Sequence, residues 1–78
     1  MNENEYIIQF RKVKGWSIAD MASALGVTSM SIYNWEKGKS IPSATIMLLA
    51  SWVERDKLNL PAYDEIVFKE KEDKDAGG

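Results

Sequence analysis

The chain of 78 residues has room for one small domain, and its 45% hydrophobic and 28% charged residues are the composition of a folded globular protein. It contains neither cysteine nor histidine; this excludes disulfides, thiolate metal ligands and every Ser-His or Cys-His nucleophile pair, so we expect no metal site and no enzyme. The net charge of -2 hides an asymmetry, because residues 6–53 hold five bases and two acids whereas residues 54–78 hold five bases and eight acids.

The first predicted helix covers Glu3–Lys14. Apolar residues recur along it every three or four positions, the pattern of a helix that buries one face, and these residues are Tyr6, Ile7, Phe10 and Val13. Gly15 follows directly and suits the left-handed conformation that ends many helices. The sequence therefore predicts an amphipathic helix at the start of the domain.

The second predicted helix, Ile18–Leu25, is short. Ser17 is its candidate N-cap, and Asp20 three residues later makes a weak variant of the capping box. Its apolar face consists of Ile18, Met21, Ala22 and Leu25. Gly26 ends the helix, because the turn conformation needed there costs a residue with a Cβ about 1–2 kcal/mol.

The third predicted helix, Ser29–Lys37, begins after the candidate N-cap Thr28 and ends at Gly38. Two short helices joined by a tight glycine turn have the lengths and the connection of a helix-turn-helix, here spanning residues 17–37. Ala22 would let the two helices approach closely, and three residues are expected to face inward: Val27, Ile32 and Trp35.

A fourth helix is predicted after Ser43, which can serve as its N-cap. It runs through Ile46, Met47, Leu49, Ala50 and Val53, with Trp52 nearby. Residues 46–53, the longest nearly apolar stretch, are far shorter than the roughly 20 residues that span a membrane, and the acidic start of the chain lacks the basic region of a signal peptide. We therefore expect a cytoplasmic protein with no membrane partner.

The remaining residues are predicted less sharply. Residues 58–63 read as a turn because of Asn59 and Pro61, and residues 64–68 can form either a short helix or a strand. Residues 69–78 are a run of charges that ends in two glycines, the composition of a disordered tail. The predicted organisation is thus a domain over residues 1–68 and an acidic tail over residues 69–78.

Within this frame the segment from Ser17 to Ser43 resembles the lambda-repressor/Cro-like (XRE-type) helix-turn-helix family of prokaryotic and phage transcriptional regulators. The resemblance rests on Ala22, Gly26-Val27, Ile32, Trp35-Glu36, Gly38-Lys39 and Pro42-Ser43, all in one register. It implies an all-α fold, a compact bundle of four or five helices with a central helix-turn-helix. It also implies that the third helix lies in the major groove of double-stranded DNA.

The resemblance assigns roles to individual residues. Base readout falls to Ser29, Met30, Tyr33 and Asn34, where Asn34 can pair with adenine and Met30 can contact a thymine methyl group. Phosphate contacts fall to Thr28, Ser31, Lys37, Lys39 and Ser40. Arg11 and Glu36 correspond to a structural pair that ties the first helix to the end of the third.

One position departs from the family. The second helix of family members often begins with a glutamine that contacts a phosphate, but here that position is Ile18, which has no hydrogen-bond donor in its side chain. The missing contact could be replaced by Lys12 or Lys14.

Relatives of this kind usually bind two half-sites as dimers. The candidate dimer surface gathers more apolar side chains than the end of so small a bundle is expected to expose, namely Trp52, Leu58, Leu60, Tyr63, Ile66, Val67 and Phe68. The expected partners are an inverted-repeat operator and a second copy of the chain.

The resulting prediction is a small sequence-specific transcriptional regulator, and a repressor or autorepressor of a phage or small bacterial operon in particular, because 78 residues leave no room for a ligand-sensing or activating domain. No cofactor and no small-molecule ligand are expected. The alternative is a protein-interaction adaptor or antitoxin-like module that keeps the fold without strong DNA binding, a reading that Ile18, Met30 and the acidic balance favour.

Overall fold

Four α-helices and one short 3-10 helix make up residues 1–66, the part of the chain that this computed structural model describes. The elements are α1 (Glu3–Lys14), α2 (Ile18–Leu25), α3 (Ser29–Glu36), α4 (Ser43–Asp56) and the 3-10 helix Tyr63–Glu65. α2 packs against α3, α1 packs against both α3 and α4, and the 3-10 helix packs against α4. The all-helical fold expected from the sequence is confirmed for this part of the chain.

A single core is formed where the helices meet. Its fully or nearly fully buried side chains are Tyr6, Ile7, Phe10, Met21, Ala22, Ile32, Trp35, Ile41, Ile46, Leu49, Val53 and Ile66. Trp16 and Trp52 pack against this core from its margin, with their rings 5.9 and 6.0 Å from that of Phe10. The tryptophans therefore belong to the hydrophobic core and its edge.

The first three helices begin at capped ends. Asn2 caps α1 and Thr28 caps α3, while Ser17 and Asp20 form a complete capping box on α2. In that box the Asp20 amide donates to Ser17 Oγ at 3.0 Å, and the Ser17 amide donates to Asp20 Oδ2 at 3.1 Å. Gly26 then ends α2 in the left-handed conformation, with φ 71°.

The start of α4 differs from the prediction. Pro42 occupies the N-cap position, Ser43 is the first helical residue, and no side chain caps the helix. The Pro42 carbonyl accepts hydrogen bonds from the amides of Thr45 and Ile46, so the helix begins one residue earlier than a Ser43 cap would allow. α4 also continues to Asp56, beyond Val53.

Three smaller expectations about the helices are corrected. Val13 is 46% exposed, because it lies at the edge of the buried face of α1 and in the last turn of that helix. Met47 is 56% exposed, since a rotation of about 100° per residue carries it away from its buried neighbour Ile46. The helix predicted to include Lys37 ends at Glu36, and Lys37 is its C-cap.

After α4 the chain folds back over the core. The Tyr6 hydroxyl donates to the Pro61 carbonyl at 3.2 Å, which joins this segment to α1. The sequence left open whether residues 64–68 form a helix or a strand. The structure has a 3-10 helix over Tyr63–Glu65, followed by the buried Ile66. The predicted tail and the last two residues of the predicted domain, Val67 and Phe68, lie outside the described residues.

Across residues 1–66 none of the helices has the length and apolar character needed to cross a membrane.

Candidate nucleic-acid interface

α3 presents two different faces. Ile32 and Trp35 are buried against the core, whereas Ser29, Met30 and Tyr33 are exposed. At about 100° per residue, positions 29, 30, 33 and 34 fall within an arc of about 140° on the opposite side of the helix from the core. The four residues predicted to read bases, Ser29, Met30, Tyr33 and Asn34, thus lie together on one outward face of α3, the predicted readout face. This is the geometry that a recognition helix requires.

The four side chains on this face differ in character. Met30 is 63% exposed and Tyr33 is 46% exposed, both unusual for large apolar residues. Asn34 is half-buried, and its side-chain amide makes no hydrogen bond to any residue in 1–66, so both its donor and its acceptor are available to a ligand. The face therefore combines one free amide, one hydroxyl and two apolar groups.

The N-terminal end of α3 is closed by its own hydroxyl groups. Thr28 Oγ1 accepts from the Ser31 amide at 3.2 Å and lies 3.1 Å from Ser31 Oγ. This contact satisfies one of the first amides of the helix and leaves the other amides of the first turn at the surface. Such an end suits a phosphate group, because the helix dipole places partial positive charge there.

A shallow apolar depression of about 350 Å³ lies beside this end, lined by Ile18, Ser29, Met30 and Tyr33. Ile18 opens α2 and the other three belong to α3, so the depression spans both helices of the helix-turn-helix. The residue that departs from the family pattern is thus next to the predicted readout residues. The sequence contained the signal, an apolar residue where the family often has a phosphate-contacting glutamine, but the position of Ile18 beside Met30 follows only from the packing of the two helices.

One cation, Lys37, borders the same face. Lys37 Nζ donates to the Tyr33 hydroxyl at 3.0 Å and lies 4.8 Å from the centre of its ring. Lys39, Ser40 and Lys12 are exposed. Since Lys37 is held over Tyr33, one positive charge has a defined place at the C-terminal end of the readout face.

Lys14 has a different environment from the other predicted phosphate contacts. Its Nζ lies 3.5 Å from Asp56 Oδ2 and 5.2 Å from the centre of the Trp16 ring. Hydrogen bonds from Arg55 and, to a smaller extent, from Lys14 lower the pKa of Asp56. Because Lys14 already pairs with a carboxylate between α1 and α4, it is less suited to a phosphate contact than the exposed Lys12.

Arg11 on α1 and Glu36 at the end of α3 are joined by two hydrogen bonds. Arg11 Nε donates to Glu36 Oε2 at 2.7 Å and Nη2 donates to Oε1 at 3.1 Å, a bidentate pair, while Nη1 donates to the Trp16 carbonyl at 3.2 Å. The hydrogen bond to Glu36 raises the pKa of Arg11. The pair holds Glu36, the last residue of α3, against α1, and the third hydrogen bond joins Arg11 to the turn that follows α1.

A second contact between α1 and α3 was not predicted. Asn4, 8% exposed, donates through Nδ2 to the carbonyls of Trp35 and Lys39 at 2.8 and 2.9 Å. The signal in the sequence is weak: Asn4 lies three positions before Ile7 and so can share the buried face of α1. Together with Arg11 it fixes the C-terminal end of α3, and therefore the orientation of the readout face.

The apolar exposure on which the predicted dimer surface relies is not found. Ile66 is 5% exposed, and the other described members of that set, Trp52, Leu58, Leu60 and Tyr63, are partly buried against the core of their own chain. These side chains cover the bundle because the segment after α4 folds back on it. Val67 and Phe68 lie outside the described residues, and the dimer surface stays a prediction.

Comparison with known proteins agrees with this geometry. The model of a helix-turn-helix family matches residues 7–51, which include most of α1, all of α2 and α3, and the first part of α4. No significant match was found among curated proteins, and none among solved structures. The matched residues are more than half of the chain and contain the readout face, its caps and the Arg11–Glu36 pair. The chain therefore belongs to the XRE/lambda-repressor-like helix-turn-helix family, whose members are DNA-binding regulators and typically not enzymes.

Proposed function

We propose that this protein is a sequence-specific repressor that binds double-stranded DNA with α3 in the major groove. The observation that carries the proposal is the outward face of α3, which offers a free side-chain amide and exposed side chains while its end is fixed to α1 at two points. A helix that must read bases needs this rigidity, since readout depends on placing side chains to within a fraction of an ångström.

Base recognition is assigned to four residues on this face: Ser29, Met30, Tyr33 and Asn34. Asn34 is the principal one, because an amide can donate to adenine N7 and accept from its N6 amino group in a geometry that fits no other base. Ser29 can donate or accept at the start of the helix. One good bidentate pair provides about 1–3 kcal/mol of discrimination.

Phosphate contacts are assigned to residues around the two ends of α3, namely Thr28, Ser31, Lys37, Lys39 and Ser40, and to Lys12 on α1. These groups position the protein on the duplex without reading sequence. The excess of bases over acids in residues 6–53 supports this assignment, since it concentrates positive charge in the part of the chain that contains the helix-turn-helix.

Repression requires only that the operator be occupied, and the part of the chain proposed to occupy it is the bundle of α1 to α4. We assign the protein to a phage or small bacterial operon, with an inverted-repeat operator and a homodimer that places one α3 in each half-site. The protein would act in the cytoplasm, where such an operator is reached, and the proposal involves no catalytic step.

A second candidate function is supported by a specific observation. The exposure of Met30 and Tyr33 and the depression beside Ile18 are also what an adaptor would use to bind another protein. The free amide of Asn34 and the cation over Tyr33 favour DNA, because a surface for a purely apolar partner needs neither.

The test compares Asn34→Ala and Lys37→Gln in fluorescence anisotropy titrations, on a duplex obtained by selection and on a scrambled duplex. Asn34→Ala is expected to lose about 1–3 kcal/mol on the selected duplex and nothing on the scrambled one, while Lys37→Gln weakens binding to both and lowers the salt slope by about 1. Asn59→Ala, an exposed amide after α4, is the control. If Asn34→Ala and Asn59→Ala behave alike, α3 does not read bases as proposed.

A further inference from the structure

The depression beside α3 has a composition that phosphate binding does not explain. Three of the four residues that line it, Ile18, Met30 and Tyr33, contribute apolar or aromatic groups, and Ser29 contributes a hydroxyl. Met30 is the most exposed large apolar side chain in residues 1–66 and Tyr33 is also exposed, so much of the apolar lining is open to solvent, while Ile18 is half-buried and also packs against the core. An apolar surface of this kind can be covered favourably by an apolar group of a ligand.

Its position limits what that ligand can be. The depression lies at the start of the readout face, next to the capped end of α3 and one helical turn from Asn34. Lys37 lies over Tyr33, so a cation borders the apolar lining directly. A ligand that fits both must present an apolar group close to negative charge, and the major groove of DNA does so at each thymine, whose C5-methyl group projects between the phosphate backbones.

From this placement we propose that Ile18 is a specificity-determining residue, which together with Met30 and Tyr33 forms an apolar surface that selects thymine C5-methyl groups in the operator. This inference rests on the proposed function, because it requires α3 to lie in the major groove. It changes the interpretation of Ile18: the residue that lacks a phosphate-binding side chain contributes to sequence readout.

The inference makes a chemical prediction about the DNA. Replacing thymine with deoxyuridine removes the methyl group and keeps every hydrogen bond of the base pair, so the change isolates the apolar contact. In a duplex obtained by selection, deoxyuridine at one or two thymines of each half-site is expected to weaken binding of the wild-type protein about fourfold per methyl group, the effect of burying one such group. Deoxyuridine at the other thymines should have no effect.

Variants of the protein assign the effect to the depression. With Met30→Ala or Ile18→Gln, the thymine duplex and the deoxyuridine duplex should bind equally well at the sensitive positions. Met47→Ala is the matched control, because Met47 is 56% exposed on α4, away from the depression, and this variant should keep the full fourfold difference. Met30 is 63% exposed, so its truncation leaves the core intact even if the substitution at the half-buried Ile18 reduces folding.

Each outcome separates the inference from the proposed function. If the protein binds a selected duplex but deoxyuridine has no effect at any thymine, the inference is wrong and the proposed function stands. If the fourfold effect persists in both Met30→Ala and Ile18→Gln, the methyl groups are read by other residues and the inference is again wrong. If no duplex is bound selectively, the proposed function itself fails, and the same surface then belongs to a protein partner.

Discussion

Arg11 and Asn4 show how single side chains of α1 set the position of the recognition helix. Both act on the C-terminal end of α3, one through the Glu36 carboxylate and one through the carbonyls of Trp35 and Lys39. The N-terminal end of α3, where base readout is proposed, makes no such hydrogen bond to α1 in residues 1–66. Within the described residues, the hydrogen bonds from α1 thus hold α3 at the end away from the proposed base contacts.

The Arg11–Glu36 pair should contribute measurably to stability. Its side chains are only 21% and 13% exposed, and removing one partner leaves the other charge without its hydrogen bonds. We expect Arg11→Met and Glu36→Gln each to lower the free energy of unfolding by about 1–3 kcal/mol, and the double variant to lose at least about 0.5 kcal/mol less than the sum. Urea denaturation measures all three values.

Arg55→Met is the control for this cycle, because Arg55 also pairs with a carboxylate, that of Asp56, but its side chain is 68% exposed. A surface pair of this kind is expected to change stability by less than about 1 kcal/mol. Additive losses in the Arg11–Glu36 cycle would show that the two residues act independently and would remove the pair from the account of how α3 is held.

Among the helices, side-chain caps mark where α1, α2 and α3 begin, and α4 begins without one. Ser17 and Thr28 both accept a hydrogen bond from an amide three residues later, whereas Pro42 at the start of α4 offers no side-chain acceptor. Because α2 and α3 have eight residues each, their first turns are a large part of the helix, and a lost cap affects the geometry of the whole helix-turn-helix.

Ser17→Ala and Thr28→Ala should each destabilise the fold by about 1 kcal/mol, within a range of about 0.5–2 kcal/mol. Ser43→Ala provides the comparison, since Ser43 lies inside α4 and caps nothing; its effect should stay within about 0.5 kcal/mol. Thermal unfolding followed by circular dichroism gives the three values. An effect of Ser43→Ala as large as that of Ser17→Ala would contradict the assignment of the caps.

The sequence predicted the bounds of α1 and α2 and placed the end of α3 one residue too late. α1 and α2 have the predicted bounds because Asp20 and the glycines after each helix leave little choice. The start of α4 was predicted wrongly because two candidate caps, Pro42 and Ser43, are adjacent, and only the hydrogen bonds to the Pro42 carbonyl distinguish them. Asn4 was missed because its partners lie 31 and 35 residues away along the chain, a distance that no local pattern encodes.

At the scale of the whole molecule, the described bundle exposes neighbouring pairs of large apolar side chains in two regions, in addition to Met1 and Val13 on their own. One is the readout face with Met30 and Tyr33, and the other is Met47 and Leu48 on α4. The set predicted for dimerisation is instead folded onto the core as far as residue 66. The remaining members of the predicted dimer set, Val67 and Phe68, lie outside the described residues.

We predict that the protein sediments as a dimer in analytical ultracentrifugation and that Phe68→Asp converts it to a monomer, because a charge in an apolar contact between copies is costly. Met47→Asp is the control and should remain dimeric. If Phe68→Asp leaves the dimer unchanged, this segment is not part of the interface. If Met47→Asp alone dissociates it, the interface lies on α4.

The measurement that tests the central claim most directly is selection of binding sites from a random duplex library by the purified protein at moderate salt. We predict enrichment of one sequence, arranged as an inverted repeat with half-sites about 10 base pairs apart, since two copies would place α3 in successive major grooves on one side of the duplex. Enrichment of nothing, even at low salt where release of counterions favours binding, would contradict DNA recognition by α3.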